Sequence, residues 1–313
     1  MRQIIRWLFL CSVLAILVSC SPSPSEKAAP TIYTTVYPVQ YILERLAGDF
    51  TEVATVYPPG ADAHSYEPTA KTMTDIAEGE AFFYLGEELE AFASTTADAL
   101  QQEDVKLIGL GGQEELFHSE GKEDTTANHD EIDPLAHDHS DHDPHVWLDP
   151  LRMLDLAVLI EKRLSDMYPD QQAVMQQNLL SLKEDLRNLD RQFVRNLNGS
   201  KHREILVSHA AYGYWEERYG IHQIAVNGMS NDSEPSQKDL IEIIERAKHL
   251  DMEYVIFEQN VPDHVSKEVQ KEIDGKPLQI HNLAVLSERD IERGEDYFSL
   301  MEKNLEVLKK ATE

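Results

Sequence analysis

DQQAVMQQNLLSLKEDLRNLDRQFVRNLN, residues 170–198, contains neither glycine nor proline and sets Val174, Leu179, Leu182, Leu186, Leu189, Phe193 and Leu197 near helical spacing. That spacing predicts one helix of about eight turns. Such a length invites a coiled-coil reading, yet no heptad is sustained. A single rod bridging two lobes fits the pattern better.

On the N-terminal side of the rod, short β-rich segments alternate with helical ones, the pattern of α/β layers with parallel strands. Strands are expected over 31–36, 51–57, 81–85 and 105–110, the second stopped by Pro58-Pro59-Gly60. Helices are expected over 39–47, about 69–78, a segment running to about Gln101, and about 150–168. Beyond Gly199 the alternation restarts, with strands over 204–208, 222–226, 254–258 and 277–281. Helices there are expected over 212–219, 236–250, 263–273 and from about Gly294 to the end. No internal repeat is visible. The fold class is therefore α/β: two Rossmann-like lobes with parallel sheets, 31–168 and 200–313, joined by one long rigid backbone helix within 169–199.

The first residues read as an address. Arg2 and Arg6 precede an apolar run from Trp7 to Val18, too short to span a bilayer comfortably, with the charged start and small-residue end of a secretory signal. The run closes in Leu17-Val18-Ser19-Cys20, which looks like the lipobox of bacterial lipoproteins, so 1–19 is expected to be removed and Cys20 lipidated. Cys11 would leave with the signal. No thiol then remains for a disulfide or a cysteine metal site. Residues 20–30, with Ser21-Pro22-Ser23-Pro24-Ser25, form a polar tether.

A hydrophobic share of 42% is adequate for a core in each lobe, and the net charge of −29 makes nucleic acid an improbable partner. A cation suits it better, although acidity chooses no metal. Between His118 and His145 stand six of the thirteen histidines, among Asp and Glu, within an acidic loop over 113–143. Imidazole and carboxylate are ligands that zinc and its first-row neighbours accept, so His129, His137, His139 and His142 are possible loop ligands. His145 differs from these. It opens the apolar, strand-like run His145-Val146-Trp147-Leu148 and so belongs to a folded scaffold.

In open α/β sheets ligands sit beyond the carboxyl ends of strands. Three histidines occupy such places: His64 after Pro58-Pro59-Gly60-Ala61-Asp62-Ala63, His145 after the acidic loop, and His209 after Ile205-Leu206-Val207-Ser208. Pointing into one cleft, they would make a three-histidine zinc site with an open fourth position. A zinc hydrolase needs the same arrangement, but the chain has no His-Glu-x-x-His helix and no evident base paired with a nucleophile. It is expected not to be an enzyme. Aromatics such as Tyr66 and the run Tyr212 to Trp215 are read as packed walls.

Several motifs carry a resemblance that spans essentially the whole mature chain. They are Pro58-Pro59-Gly60-Ala61-Asp62-Ala63-His64-Ser65-Tyr66-Glu67-Pro68, Asp143-Pro144-His145-Val146-Trp147-Leu148-Asp149-Pro150, Ser208-His209-Ala210-Ala211-Tyr212-Gly213-Tyr214-Trp215, Glu234-Pro235-Ser236 and Gly294-Glu295-Asp296-Tyr297-Phe298. In these the chain resembles the zinc-specific solute-binding proteins of metal ABC transporters, cluster A-I. The resemblance implies His64, His145 and His209 as ligands, metal held between the lobes, and delivery to a membrane permease with a cytoplasmic ATPase. It further implies an extracytoplasmic, lipid-anchored monomer whose function is high-affinity zinc capture. Relatives often carry an acidic residue in the loop after the strand that here ends at His281, whereas this chain reads Asn282-Leu283-Ala284. Ala284 cannot coordinate, and water, Glu258, Glu67 or a loop histidine remain as fourth ligands. The loop histidines would hold zinc weakly and pass it inward, so deletion of 120–141 should leave one tight site. A metal buffer or adhesin that never meets a transporter is the alternative reading. Genes for a permease and an ATPase beside this one would separate the two.

Overall fold

The computed structural model describes residues 32–86, 89–113, 116–117, 143–229, 235–259 and 263–313. Strand β1 (Ile32–Thr34) leads into helix α1 (Tyr37–Ala47), whose second residue is Pro38 and whose end is marked by Gly48 at φ 58, its N–H bonded to the Glu44 carbonyl. Glycine takes that left-handed conformation without a Cβ penalty. Then come β2 (Val53–Thr55), α2 (Ala70–Ala77), β3 (Ala81–Tyr84), α3 (Ala91–Ala99) and β4 (Lys106–Gly109). All pairings are parallel, in the order β2-β1-β3-β4. Helix α4 (Pro150–Met167) follows, capped by the Asp149 carboxylate, which accepts the Leu151 N–H.

The rod is α5 (Gln172–Leu197), entered through a short 3-10 turn over Pro169–Gln171. Its buried face is Met175, Leu179, Leu182, Leu186, Leu189, Phe193 and Leu197. Met175, not Val174, heads this stripe: it stands one turn before Leu179, whereas Val174 turns outward and is 50% exposed.

The second half repeats the first in topology. Strands β5 (Glu204–His209), β6 (His222–Asn227), β7 (Tyr254–Glu258) and β8 (Lys276–Ile280) pair in parallel in the order β6-β5-β7-β8. Helices α6 (Gly213–Tyr219), α7 (Gln237–His249), α8 (His264–Glu272), α9 (Glu288–Arg293) and α10 (Tyr297–Ala311) connect and cover them. In both sheets the first strand lies between the second and the third. Successive connections leave it in opposite directions, opening a crevice at the strand carboxyl ends.

α5 packs on α1, α4, α6 and α10. Asn178 on it donates to the Leu46 carbonyl at 3.0 Å, while Asp190, nearer its other end, accepts the Tyr219 hydroxyl at 3.1 Å. One continuous apolar core runs from Ile32, Phe82 and Phe83 through the α5 leucines to Trp215, Tyr297 and Leu308. A smaller cluster around Leu206, Ile224, Val255 and Val269 packs under α7 and α8.

Two expectations need correction. The run after His145 is a buried 3-10 turn over Val146–Leu148, because Leu148 and Asp149 N–H groups bond back to the His145 and Val146 carbonyls. The closing helix starts at Tyr297, with Asp296 as its cap. Gly294 instead ends the separate helix α9 in the left-handed conformation, φ 64 and ψ 34. Among the described residues no helix is long and apolar enough to cross a membrane.

Candidate metal centre

Each of the three sequence-selected histidines is held by its own local device. His64 sits on the loop after β2, where the Asp62 carboxylate accepts its backbone N–H at 3.2 Å and the Ser65 hydroxyl at 2.8 Å. The Tyr57 hydroxyl braces the same loop by donating to the Ala63 carbonyl at 3.1 Å. His145 opens the 3-10 turn; Asp143 Oδ1 accepts its backbone N–H at 2.9 Å and stands 2.8 Å from its Nδ1. His209 is the last residue of β5, not the first beyond it. Pairing of Leu206 with Val255 and Val207 with Ile256, carried forward, sets His209 beside Glu258 at the end of β7.

The three rings meet. Centroids of His64 and His145 are 5.4 Å apart, those of His64 and His209 5.8 Å, and those of His145 and His209 5.2 Å. One nitrogen from each lies within 4.8 Å of the others, a triangle that one cation can fill. His145 and His209 are buried at 1% and 0% exposure, and His64 is partly open. The second lobe thus supplies one ring and the first lobe two.

Orientation follows from what the back of each ring faces. A carboxylate accepts only, so Asp143 beside Nδ1 of His145 puts the ring proton there and leaves the Nε2 lone pair forward. His209 Nδ1 stands 2.5 Å from Glu258 Oε1, but the contact is out of line with the ring N–H, so neither of its nitrogens has an aligned hydrogen-bond partner. A buried imidazole with unclaimed nitrogens is a donor set waiting for a cation.

Electrostatics differ from ring to ring in the metal-free molecule. Burial, then the neighbouring His145 and His209, pushes His64 down to about 3. Burial also works to lower His209, but the charge of the adjacent Glu258 outweighs it and raises the ring above its ordinary value. Burial would raise Glu258, yet His209 and the Tyr212 hydroxyl hold it down at about 2.

Glu258 stands behind His209, and neither it nor the exposed Glu67 joins the group of donor atoms. Ala284 is buried; its N–H goes to Asn282 Oδ1 at 3.0 Å and its carbonyl accepts the Tyr37 N–H at 2.8 Å. Cys20, His118, His129, His137, His139 and His142 lie outside the described residues. Tyr212 and Trp215 are core aromatics stacked 4.8 Å apart, as expected of packed walls, but the Tyr212 hydroxyl also donates to Glu258 at 2.8 Å. Sequence reasoning missed the parts played by Asp143, Tyr212 and Asn282. For Asp143 a signal existed, since an Asp two residues before a histidine readily forms a local turn onto its N–H.

Comparison with known proteins agrees with this architecture. The family model described as zinc-uptake complex component A, periplasmic (ZnuA) matches residues 32–311. The zinc-binding lipoprotein AdcA of Streptococcus pneumoniae (strain ATCC BAA-255 / R6) is 34% identical over 307 residues, 98% of this chain and 60% of its own length. The chain therefore spans well under two thirds of that relative. The high-affinity zinc uptake system protein ZnuA of Bacillus subtilis (strain 168) is 26% identical over 314 residues, 97% of each chain. The crystal structure of the Zn(II)-bound ZnuA-like domain of Streptococcus pneumoniae AdcA superposes with a TM-score of 0.72 at 32% identity, covering 90% of this chain and 98% of that one. Two parallel sheets around a bridging helix, three converging imidazoles and a family match across nearly all the described residues lead to one conclusion: the chain belongs to the zinc-uptake complex component A family.

Proposed function

We propose that this chain is an extracytoplasmic receptor that captures Zn²⁺ through His64, His145 and His209 and delivers it to a membrane permease driven by a cytoplasmic ATPase. The observation that carries the reading is the convergence of three imidazole nitrogens, from three separate segments and both lobes, to within 4.8 Å. An all-nitrogen donor set suits zinc over the harder manganese, which favours carboxylate oxygen. The action is capture and release. No covalent step is part of the proposal. Anchoring through Cys20 fits the lipobox and the name of the AdcA relative.

A zinc titration of the purified chain by calorimetry, with elemental analysis, tests the reading. One tight site is expected in the wild type and its loss in His64→Ala, His145→Ala and His209→Ala. A wild-type chain with no tight site, or three variants that bind like it, would sink the proposal. Labelled palmitate incorporated by wild type and not by Cys20→Ser tests the anchor.

A further inference from the structure

Three imidazoles bring no charge to a dication. Behind two of them stand carboxylates, one from each half of the fold. Glu258 is the deeper, its side chain 1% exposed. Its Oε1 faces His209 Nδ1 and accepts the Tyr212 hydroxyl at 2.8 Å, and its Oε2 accepts Asn282 Nδ2 at 2.8 Å. The tyrosine hydroxyl and the amide N–H both donate, which suits an ionised carboxylate. No lysine or arginine pairs with Glu258 among the described residues. A buried charge left without a cation is costly, so a charge on the far side of His209 is what this position calls for.

Asp143 repeats the arrangement on His145. Its Oδ1 takes both the ring and the backbone N–H, and its own carbonyl accepts the Tyr214 hydroxyl at 2.5 Å. Its Oδ2 lies 2.9 Å from where a Cβ on Gly213 would stand, so the first turn of α6 closes tightly over it. At 17% exposure its charge is more screened than that of Glu258.

We infer that Glu258, seconded by Asp143, is the positioning residue of the metal centre: each carboxylate faces the Nδ1 side of its imidazole and so favours the other nitrogen forward, and together they supply the two negative charges that balance Zn²⁺ from one ring away. The inference rests on the zinc reading above and deepens it. A neutral tris-imidazole site would leave the dication's charge uncompensated in a buried place. This one is balanced without a carboxylate touching the ion. Carboxylates acting through imidazole ligands typically change metal affinity by about 10–100-fold.

The test is a chelator-competition titration with zinc, and a cobalt titration read by visible absorption, on wild type, His209→Ala, Glu258→Gln, Glu258→Asp and Asp143→Asn. Glu258→Gln, which keeps shape and loses charge, is expected to weaken zinc about 10–100-fold and to shift the cobalt spectrum. Glu258→Asp should recover part of the affinity, and Asp143→Asn should cost less than Glu258→Gln. Wild-type affinity and spectrum in Glu258→Gln would overturn the inference. So would equal weakening in the Gln and Asp variants that merely tracks lost metal-free stability. If Glu258→Gln does not fold, Tyr212→Phe and Asn282→Ser loosen the carboxylate from its other side; unchanged zinc affinity in both would overturn it as well. Failure of the zinc reading looks different, because wild type then lacks a tight site or His209→Ala binds as wild type does.

Discussion

At the scale of single residues the three rings are chemically unequal, and pH separates them. His64 is held down to about 3 because burial and the neighbouring rings of His145 and His209 disfavour its proton. His209 keeps a proton above the ordinary histidine range because Glu258 faces it. On the proposed site, zinc would have to displace the His209 proton and would not have to displace one from His64, so affinity would fall with pH while at least one ring escapes competition. The slope of log affinity against pH between about pH 5 and 7 is therefore expected to stay below three, where three unperturbed histidines of pKa about 6.5 approach three. Calorimetry in buffers of different ionisation heat measures the protons released; a slope of three would show that His64 titrates like a free imidazole. Stability without metal responds with opposite signs. The depressed His64 makes the unfolded chain the better proton acceptor between about 3 and 6.5, so its effect is to lower stability as pH falls through that window. The raised His209 contributes stability that is complete below about 6.5 and lost as pH rises through its folded value.

Among the elements, α5 was legible because its 26 residues obey a single rule, an apolar stripe with no breaker. Leu186 on that stripe is fully buried while Leu180, on the opposite side, is 62% exposed. Leu186→Ala is expected to cost about 2–5 kcal/mol in urea melts, and Leu180→Ala less than about 0.5 kcal/mol. Equal losses would mean the helix is packed on both faces. Short elements were legible only where turn chemistry was unambiguous. Gly294 can open a helix or end one, and only the φ of 64 decides for ending. The alternation at 143–148 mimics a strand, but Asp149 and Pro150 cap and start α4 immediately afterwards, which forces the run into a tight turn. The places of His64 and His209 were legible because strand ends are recognisable, and that of His145 because the acidic tract gives way there to an apolar run. Glu258 entered the sequence reading as a possible ligand, yet its place behind His209 follows from the β5–β7 pairing, which no local pattern announces. The first turn of α6 carries a prediction of its own. Gly213→Ala puts a Cβ 2.9 Å from Asp143 Oδ2 and must push that carboxylate off His145. Zinc affinity should fall several-fold while the melting temperature changes little, since alanine suits a helix better than glycine. Unchanged zinc affinity would show that Asp143 shifts without consequence.

For the molecule as a whole, the triad draws on both lobes, so anything that joins the lobes holds the ligand set together. The turn after His145 is where they join. Trp147 Nε1 donates to the Asn282 carbonyl at 2.7 Å, the Tyr297 hydroxyl donates to the Trp147 carbonyl at 2.6 Å, and Trp215 Nε1 donates to the Leu148 carbonyl at 2.7 Å. Asp149 adds an ion pair to Arg218 at 2.5 Å. Backbone bonds from Tyr37 to Ala284 and from Gly60 to Leu286, at 2.8 and 2.9 Å, tie the first lobe to the loop after β8. Among the described residues these contacts, and the unbroken core along α5, join the lobes directly. On the proposed function, release of zinc would require a local opening between His209 and the other two rings, and the Trp147–Asn282 bond would lie on the path of that opening, because Asn282 also holds Glu258. Trp147→Phe keeps most of the apolar volume and removes one half-buried hydrogen bond, a loss of about 1 kcal/mol. If that loss falls on the junction, the rate at which a chelator strips bound zinc should rise about tenfold for each 1.4 kcal/mol. Stopped-flow chelator chase reads the rate and urea melts of the metal-free chain read the stability. A release rate equal to wild type in a variant destabilised by the full amount would mean that Trp147 serves the core alone and that zinc leaves by a route which does not part the lobes.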